Sequence, residues 1–163
     1  MGLLEIAAAR AAGAAAVVAI DPREDRRARA EASGTPALPD DDRGSVIDVL
    51  GGPADQVFVC THVPAAIAGA LHLAGPAGVV QLFAPPPPGK MVGLDLGAVF
   101  WREVTIQSTY SAGPLDTRDA LALIAAGAVD VDTIVSHRLP LSEVREAFRL
   151  ARSGEAVKVV VEP

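Results

Sequence analysis

Asp21 closes an apolar run, Ala16 to Ile20, whose small and β-branched side chains read as a buried strand. A carboxylate at such a place is costly unless something beyond the sheet uses it. In a doubly wound α/β fold the carboxyl ends of the strands border the ligand crevice. An acid there can accept both hydroxyls of an adenosine ribose and repel a phosphate on the 2′ position. Its usual companion is a glycine-rich turn feeding the preceding helix, whose amides hold a pyrophosphate, with the acid about 20 residues past the glycines. Gly2 and Asp21 are 19 residues apart, so Gly2 fits the last glycine of that fingerprint. The first two glycines, and the strand ahead of them, are then expected before Met1. The alternative for Asp21 is an N-cap on the helix that Pro22 begins.

The other reactive side chains are sparse. Cys60 is the only cysteine, which excludes an internal disulfide and a multi-cysteine zinc site and suits the cytoplasm. Of the three histidines, His62 follows an apolar strand, whereas His72 and His137 read as packed or surface residues. Tyr110-Ser111 lacks a lysine at catalytic spacing. Asp40-Asp41-Asp42 reads as a solvated acidic run rather than a cation site. No residue of the chain is expected to be catalytic.

A chain of 163 residues with half of them hydrophobic and few aromatics can bury one core built from Ala, Val, Leu and Gly. The net charge is −6, and Arg23, Arg26, Arg27 and Arg29 alternate with Glu24, Asp25 and Glu31. That excludes the basic face a nucleic-acid partner calls for. Glu5 and Arg10 interrupt the apolar start, so no membrane span or targeting segment is expected there.

Helices are expected from Leu3 to Gly13, from Pro22 to Glu31, over Val46–Leu50, over Pro64–Leu73, from Pro114 to Ala126, and from a Ser142 cap to Arg152, ended by Gly154. Strands are expected over Ala16–Ile20, Gln56–Cys60, Gly78–Phe83, Glu103–Ser108, Ile134–Leu139 and Val157–Val161, with a short edge strand at most between Gly34 and Arg43. Strands alternating with such helices predict a parallel sheet covered by helices. The fold class expected is a Rossmann-like, doubly wound α/β sheet lacking its first strand.

Four stretches carry a resemblance to a known family. GLLEIAAARAAGAAAVVAIDPREDR is similar to a fingerprint helix and second strand, and VFVCTHVPAAIAGALHLAGPAGVVQLFAPPPPG to the fourth strand, its helix and the fifth strand. FWREVTIQSTYSAGPLDTRDAL is similar to the sixth strand and following helix, and SHRLPLSEVREAFRLARSGEAVKVV to the ending in which the chain returns to the catalytic domain. Together, over essentially all 163 residues, they resemble the C-terminal half of the medium-chain, zinc-dependent alcohol, sorbitol and threonine dehydrogenases. The resemblance implies an incomplete NAD-binding domain over residues 1–128 and a returning strand-helix-strand over 129–163.

The resemblance also implies cofactor-binding roles. Gly2 resembles the third fingerprint glycine, Asp21 the ribose-binding acid that selects NAD over NADP, and Arg26 a basic residue flanking that ribose. Thr61 and His62 fall on the loop after the fourth strand. Phe83 and Ala84 fall where backbone meets the nicotinamide, Ser108 and Thr109 at the end of the sixth strand, and Lys158 where a late basic residue reaches the pyrophosphate. The family's zinc, which polarises the alcohol oxygen, belongs to a domain that these residues do not include. The expectation is the cofactor-binding half of a dehydrogenase, with weak or no dinucleotide binding and no turnover alone. Two other readings stand beside it: one partner of a split enzyme completed by a separate catalytic domain, or a non-catalytic nucleotide-binding or interaction module that fills the missing strand as a homo-oligomer.

Overall fold

The computed structural model describes residues 1–39 and 43–163. The acidic run Asp40–Asp42 lies outside the described residues. The chain divides into two units, Met1–Gly113 and Pro114–Pro163.

The first unit begins with helix α1 (Gly2–Ala11), whose end passes into the left-handed Gly13. Strand β1 follows at Ala19–Ile20, then α2 (Glu24–Ala32) and β2 (Ala37–Leu38). The expected five-residue strand shortens to two because its partner is bracketed by Pro36 and Pro39, which cannot donate to a ladder. Only Ala19 and Ile20 find register, opposite Ala37 and Leu38. The Ala19 and Asp21 amides complete the pairing on the Pro36 and Leu38 carbonyls, at 2.9 and 3.1 Å.

Helix α3 (Arg43–Leu50) leads into the main sheet, made of β3 (Ala54–Val59), β4 (Ala74–Leu82) and β5 (Thr105–Ser108) in the parallel order β3-β4-β5. Helix α4 (Pro64–Leu73), with proline at its first turn, crosses from β3 to β4. Val59, Val80 and Val104 pack with Ile67, Ala70 and Leu71 of α4 into the core. Each such aliphatic side chain contributes about 1.5–3 kcal/mol on burial. Helix α4 ends without a glycine cap. The Arg102 guanidinium serves instead, donating to Leu71 O at 3.0 Å and to Ala74 O and so satisfying carbonyls that the helix leaves open.

The regular part of β4 starts close to the expected Gly78: Ala74 pairs with Ala54 and Val79 with Gln56, and between them the chain turns through Gly75-Pro76 with Ala77 left-handed, φ 56°. Helix α5 (Leu96–Trp101) is an element the sequence reading left unassigned. Asp95 caps it, its side chain accepting from the Ala98 amide at 3.0 Å.

In this unit β1 and β3 are both edges among the described residues, since the sheet orders are β1-β2 and β3-β4-β5. Every strand pair among the described residues is parallel.

The second unit holds α6 (Pro114–Ala125), α7 (Val131–Ile134), β6 (His137–Pro140), α8 (Val144–Ser153) and β7 (Val159–Glu162). Ile134, expected in a strand, is helical: Asp130 accepts from the Asp132 amide at 3.0 Å and starts a short helix that overrides the β-branched run. Ser142 makes no cap, because a 3₁₀ turn over Leu141–Glu143 precedes α8. Gly154 ends α8 in the left-handed conformation, φ 74°. Ser136 Oγ joins β6 to β7. It accepts from the Val157 amide at 2.9 Å and donates to Lys158 O at 3.1 Å. His137 Nδ1 lies 2.9 Å from the same oxygen, a structural contact.

Candidate functional site

Parallel strands end on one side of their sheet, so the topology of the first unit gathers the residues that follow β3, β4 and β5. Phe83 and Ala84, after β4, both donate their amides to Val59 O, at 3.0 and 3.3 Å. Thr109, after β5, donates its amide to Leu82 O at 3.4 Å. Thr61 Oγ1 accepts from the Val63 amide at 3.3 Å, a turn that delivers the chain into α4. Thr61, Phe83 and Ala84 are half-buried, whereas His62, Ser108 and Thr109 are exposed. Six of the sequence-derived candidates thus share the carboxyl rim of one sheet.

Asp21 occupies the corresponding position at the end of β1. It is half-buried, and its Oδ1 accepts from the Arg23 amide at 2.9 Å. This is an Asx turn rather than a helix cap, since α2 starts at Glu24 with Arg23 as its cap residue. Arg27 reaches over to bond the Asp21 and Pro22 carbonyls, both at 2.9 Å. The arginines around it have their own acid: Arg23 grips Asp25 at 2.8 Å, and Arg26 Nε lies 3.8 Å from it. Among the described residues no ion pair involves the Asp21 carboxylate, although its charge adds, after that of Asp25, to the raised pKa of the Arg23 guanidinium.

Gly2 is the first residue of α1, and a Cβ built on it would meet no atom within 4 Å. The first turn of α1 lies within electrostatic reach of the end of β3. The Cys60 thiol is pushed up to about 11, chiefly by burial and then by the Glu5 carboxylate, with the amino terminus acting the other way. Burial likewise raises Glu5. Lys158 belongs to the second unit, exposed, with its amide on Ser136 Oγ at 3.3 Å.

The sequence reading missed a buried amide, Gln81, and named Glu5 and Cys60 without their influence on each other. Each is polar or titratable in an otherwise apolar run, which is the signal that could have found it. Tyr110, by contrast, is almost fully exposed, and Ser111 beside it has a left-handed backbone, φ 65°.

A carboxylate after one strand and gathered backbone groups after three others suit a dinucleotide laid along the strand ends. Zinc does not fit in the same way: among the described residues no group of three His, Cys, Asp or Glu side chains could hold a metal ion. Nor is any described helix long and apolar enough to cross a membrane.

These features define an open α/β architecture of the dinucleotide-binding class. Residues 1–126 match the family described as zinc-binding dehydrogenase. The chain is 33% identical to the L-threonine 3-dehydrogenase of Bacillus velezensis across all of its own length and 48% of that protein. It is 27% identical to the sorbitol dehydrogenase of Rattus norvegicus, over 99% of the chain and 46% of the relative. The 2R,3R-butanediol dehydrogenase from Bacillus subtilis superposes with a TM-score of 0.89 at 24% identity, over 99% of this chain and 48% of that one. A Sinorhizobium meliloti 1021 protein assigned as a zinc-binding dehydrogenase and solved with NADP superposes with a TM-score of 0.87 at 28% identity, over 99% and 49%. The chain belongs to the zinc-binding dehydrogenase family, and it spans about half the length of the curated relatives it matches.

Proposed function

We propose that these residues form the NAD-binding half of a cytoplasmic alcohol or polyol dehydrogenase, with Asp21 selecting NAD over NADP. The observation that carries the reading is the Asp21 carboxylate, half-buried at a strand end and outside any ion pair among the described residues. A second negative charge on the ribose 2′ position would be repelled there, while two ribose hydroxyls would be bound. Arg26 flanks the same ribose, Gly2 opens the helix nearest the pyrophosphate, and Lys158 supplies a late positive charge. Thr61 and His62 border the middle of the cofactor. Phe83, Ala84, Ser108 and Thr109 receive its nicotinamide end.

Within this reading, residues 1–128 serve the cofactor and 129–163 return toward the catalytic part. That part holds the zinc and lies in the half of the relatives that this chain does not span. When bound, the dinucleotide supplies hydride acceptance; the residues here bind and orient it.

Titration with NADH and NADPH tests the proposal. The chain is expected to bind weakly and to favour NADH. Hydrogen bonds to a charged acceptor contribute about 1.5–3 kcal/mol each, so Asp21→Ala should weaken NADH about 10- to 100-fold and narrow the gap to NADPH. A preference for NADPH, or an Asp21→Ala variant that binds NADH as before, would contradict the assignment.

A further inference from the structure

Gln81 stands in the middle of β4 between Val80 and Leu82, and only 5% of it is exposed. A buried amide in an apolar strand must find hydrogen-bond partners. In register, Phe58, Gln81 and Gln107 lie side by side across β3, β4 and β5, on the face opposite the valines that meet α4. Gln107 Nε2 donates to Gln81 Oε1 at 2.8 Å. The other end of the Gln81 amide lies 3.4 Å from Leu82 O and 3.4 Å from Thr109 Oγ1. A carbonyl oxygen only accepts, so Leu82 O fixes that end as the NH2 group. The Thr109 hydroxyl therefore accepts from Gln81, and among the described residues no protein acceptor takes its proton.

We propose that Gln81 is a positioning residue for the nicotinamide end of the cofactor: it holds the Thr109 hydroxyl on the carboxyl rim of the sheet as a hydrogen-bond donor to the ring's carboxamide oxygen. This rests on the dinucleotide reading above. The chain Gln107–Gln81–Thr109 runs from the sheet's second face to its rim. Burial of the middle amide keeps water from competing for it. The second mononucleotide of a dinucleotide lies over this half of a doubly wound sheet, which places an acceptor where the hydroxyl proton is free.

NADH and ADP-ribose titrations of the wild-type chain, Thr109→Val, Gln81→Met and the double variant separate the two ends of the ligand. Thr109 is exposed, so its replacement leaves the fold intact, and methionine keeps the Gln81 volume. One hydrogen bond corresponds to about a 3- to 10-fold change in affinity. Thr109→Val is expected to lose that much for NADH and nothing for ADP-ribose. Gln81→Met should lose part of it, again for NADH alone, and the double variant should be no worse than Thr109→Val. Additive losses, unchanged NADH affinity in Thr109→Val, or equal losses for both ligands would overturn the proposal. If the wild-type chain binds ADP-ribose but not NADH, the positioning role fails while the adenosine side stands. If it binds neither, the dinucleotide reading itself fails and takes this role with it.

Discussion

One oxygen of the Asp21 carboxylate holds the turn into α2 by accepting from the Arg23 amide, and the proposed function assigns the group to the ribose. Cys60 shows a different consequence of the same rim. Its thiol, pushed up to about 11, stays protonated at neutral pH and is expected to react slowly with iodoacetamide, with the rate rising only in strongly alkaline solution. The Glu5 carboxylate is part of the cause, so Glu5→Gln should lower the thiol pKa and speed alkylation at a given pH. A rate like that of a free cysteine, or one unaffected by Glu5→Gln, would show that the helix start and the end of β3 are not neighbours. The place of Asp21 at a strand end was legible because an acid closing an apolar run is conspicuous. Gln81 was not, because its meaning depends on Gln107 and Thr109 across a strand pair that one sequence does not reveal.

The elements follow local rules where the rules are strong. Helix α4 matches its expected span, Pro64 to Leu73, since proline starts it and the apolar run sustains it. Gly78 stands where a turn enters the regular part of β4. A Cβ there would lie 2.9 Å from Gly75 O and 3.2 Å from Ala54 O, both backbone atoms that cannot turn aside. Gly78→Ala is therefore expected to destabilise the fold by about 1–3 kcal/mol, read as a lower denaturant midpoint with an unchanged slope; an unaltered midpoint would refute the close approach. The crowding marks the turn at Gly75-Pro76, where local propensity interrupts the pairing and the ladder steps from Ala74 to Val79. The same tension between propensity and pairing shortened β1, where Val17 and Val18 have strand character but no partner in the β1-β2 ladder. At Ile134 a cap outweighed a β-branched run. Helix α5 escaped notice because its six residues show no useful period and only Asp95 announces it.

At the scale of the molecule, the parallel strands and the β6-α8-β7 segment were legible from strand-helix alternation. The division after Gly113 rests on contacts between residues far apart in the chain, which one sequence does not reveal. Tyr110 is 99% exposed at the end of the first unit, so limited chymotrypsin digestion should cut there first. Initial cleavage within β3 or β4 would contradict the division. The central claim, that the strand ends of the first unit receive a dinucleotide, is tested most directly by mapping NADH-induced amide chemical-shift changes onto the chain. Changes at Asp21, Thr61, Phe83, Ala84 and Thr109 together are expected. Changes confined to other surfaces, or none at saturating NADH, would contradict that claim.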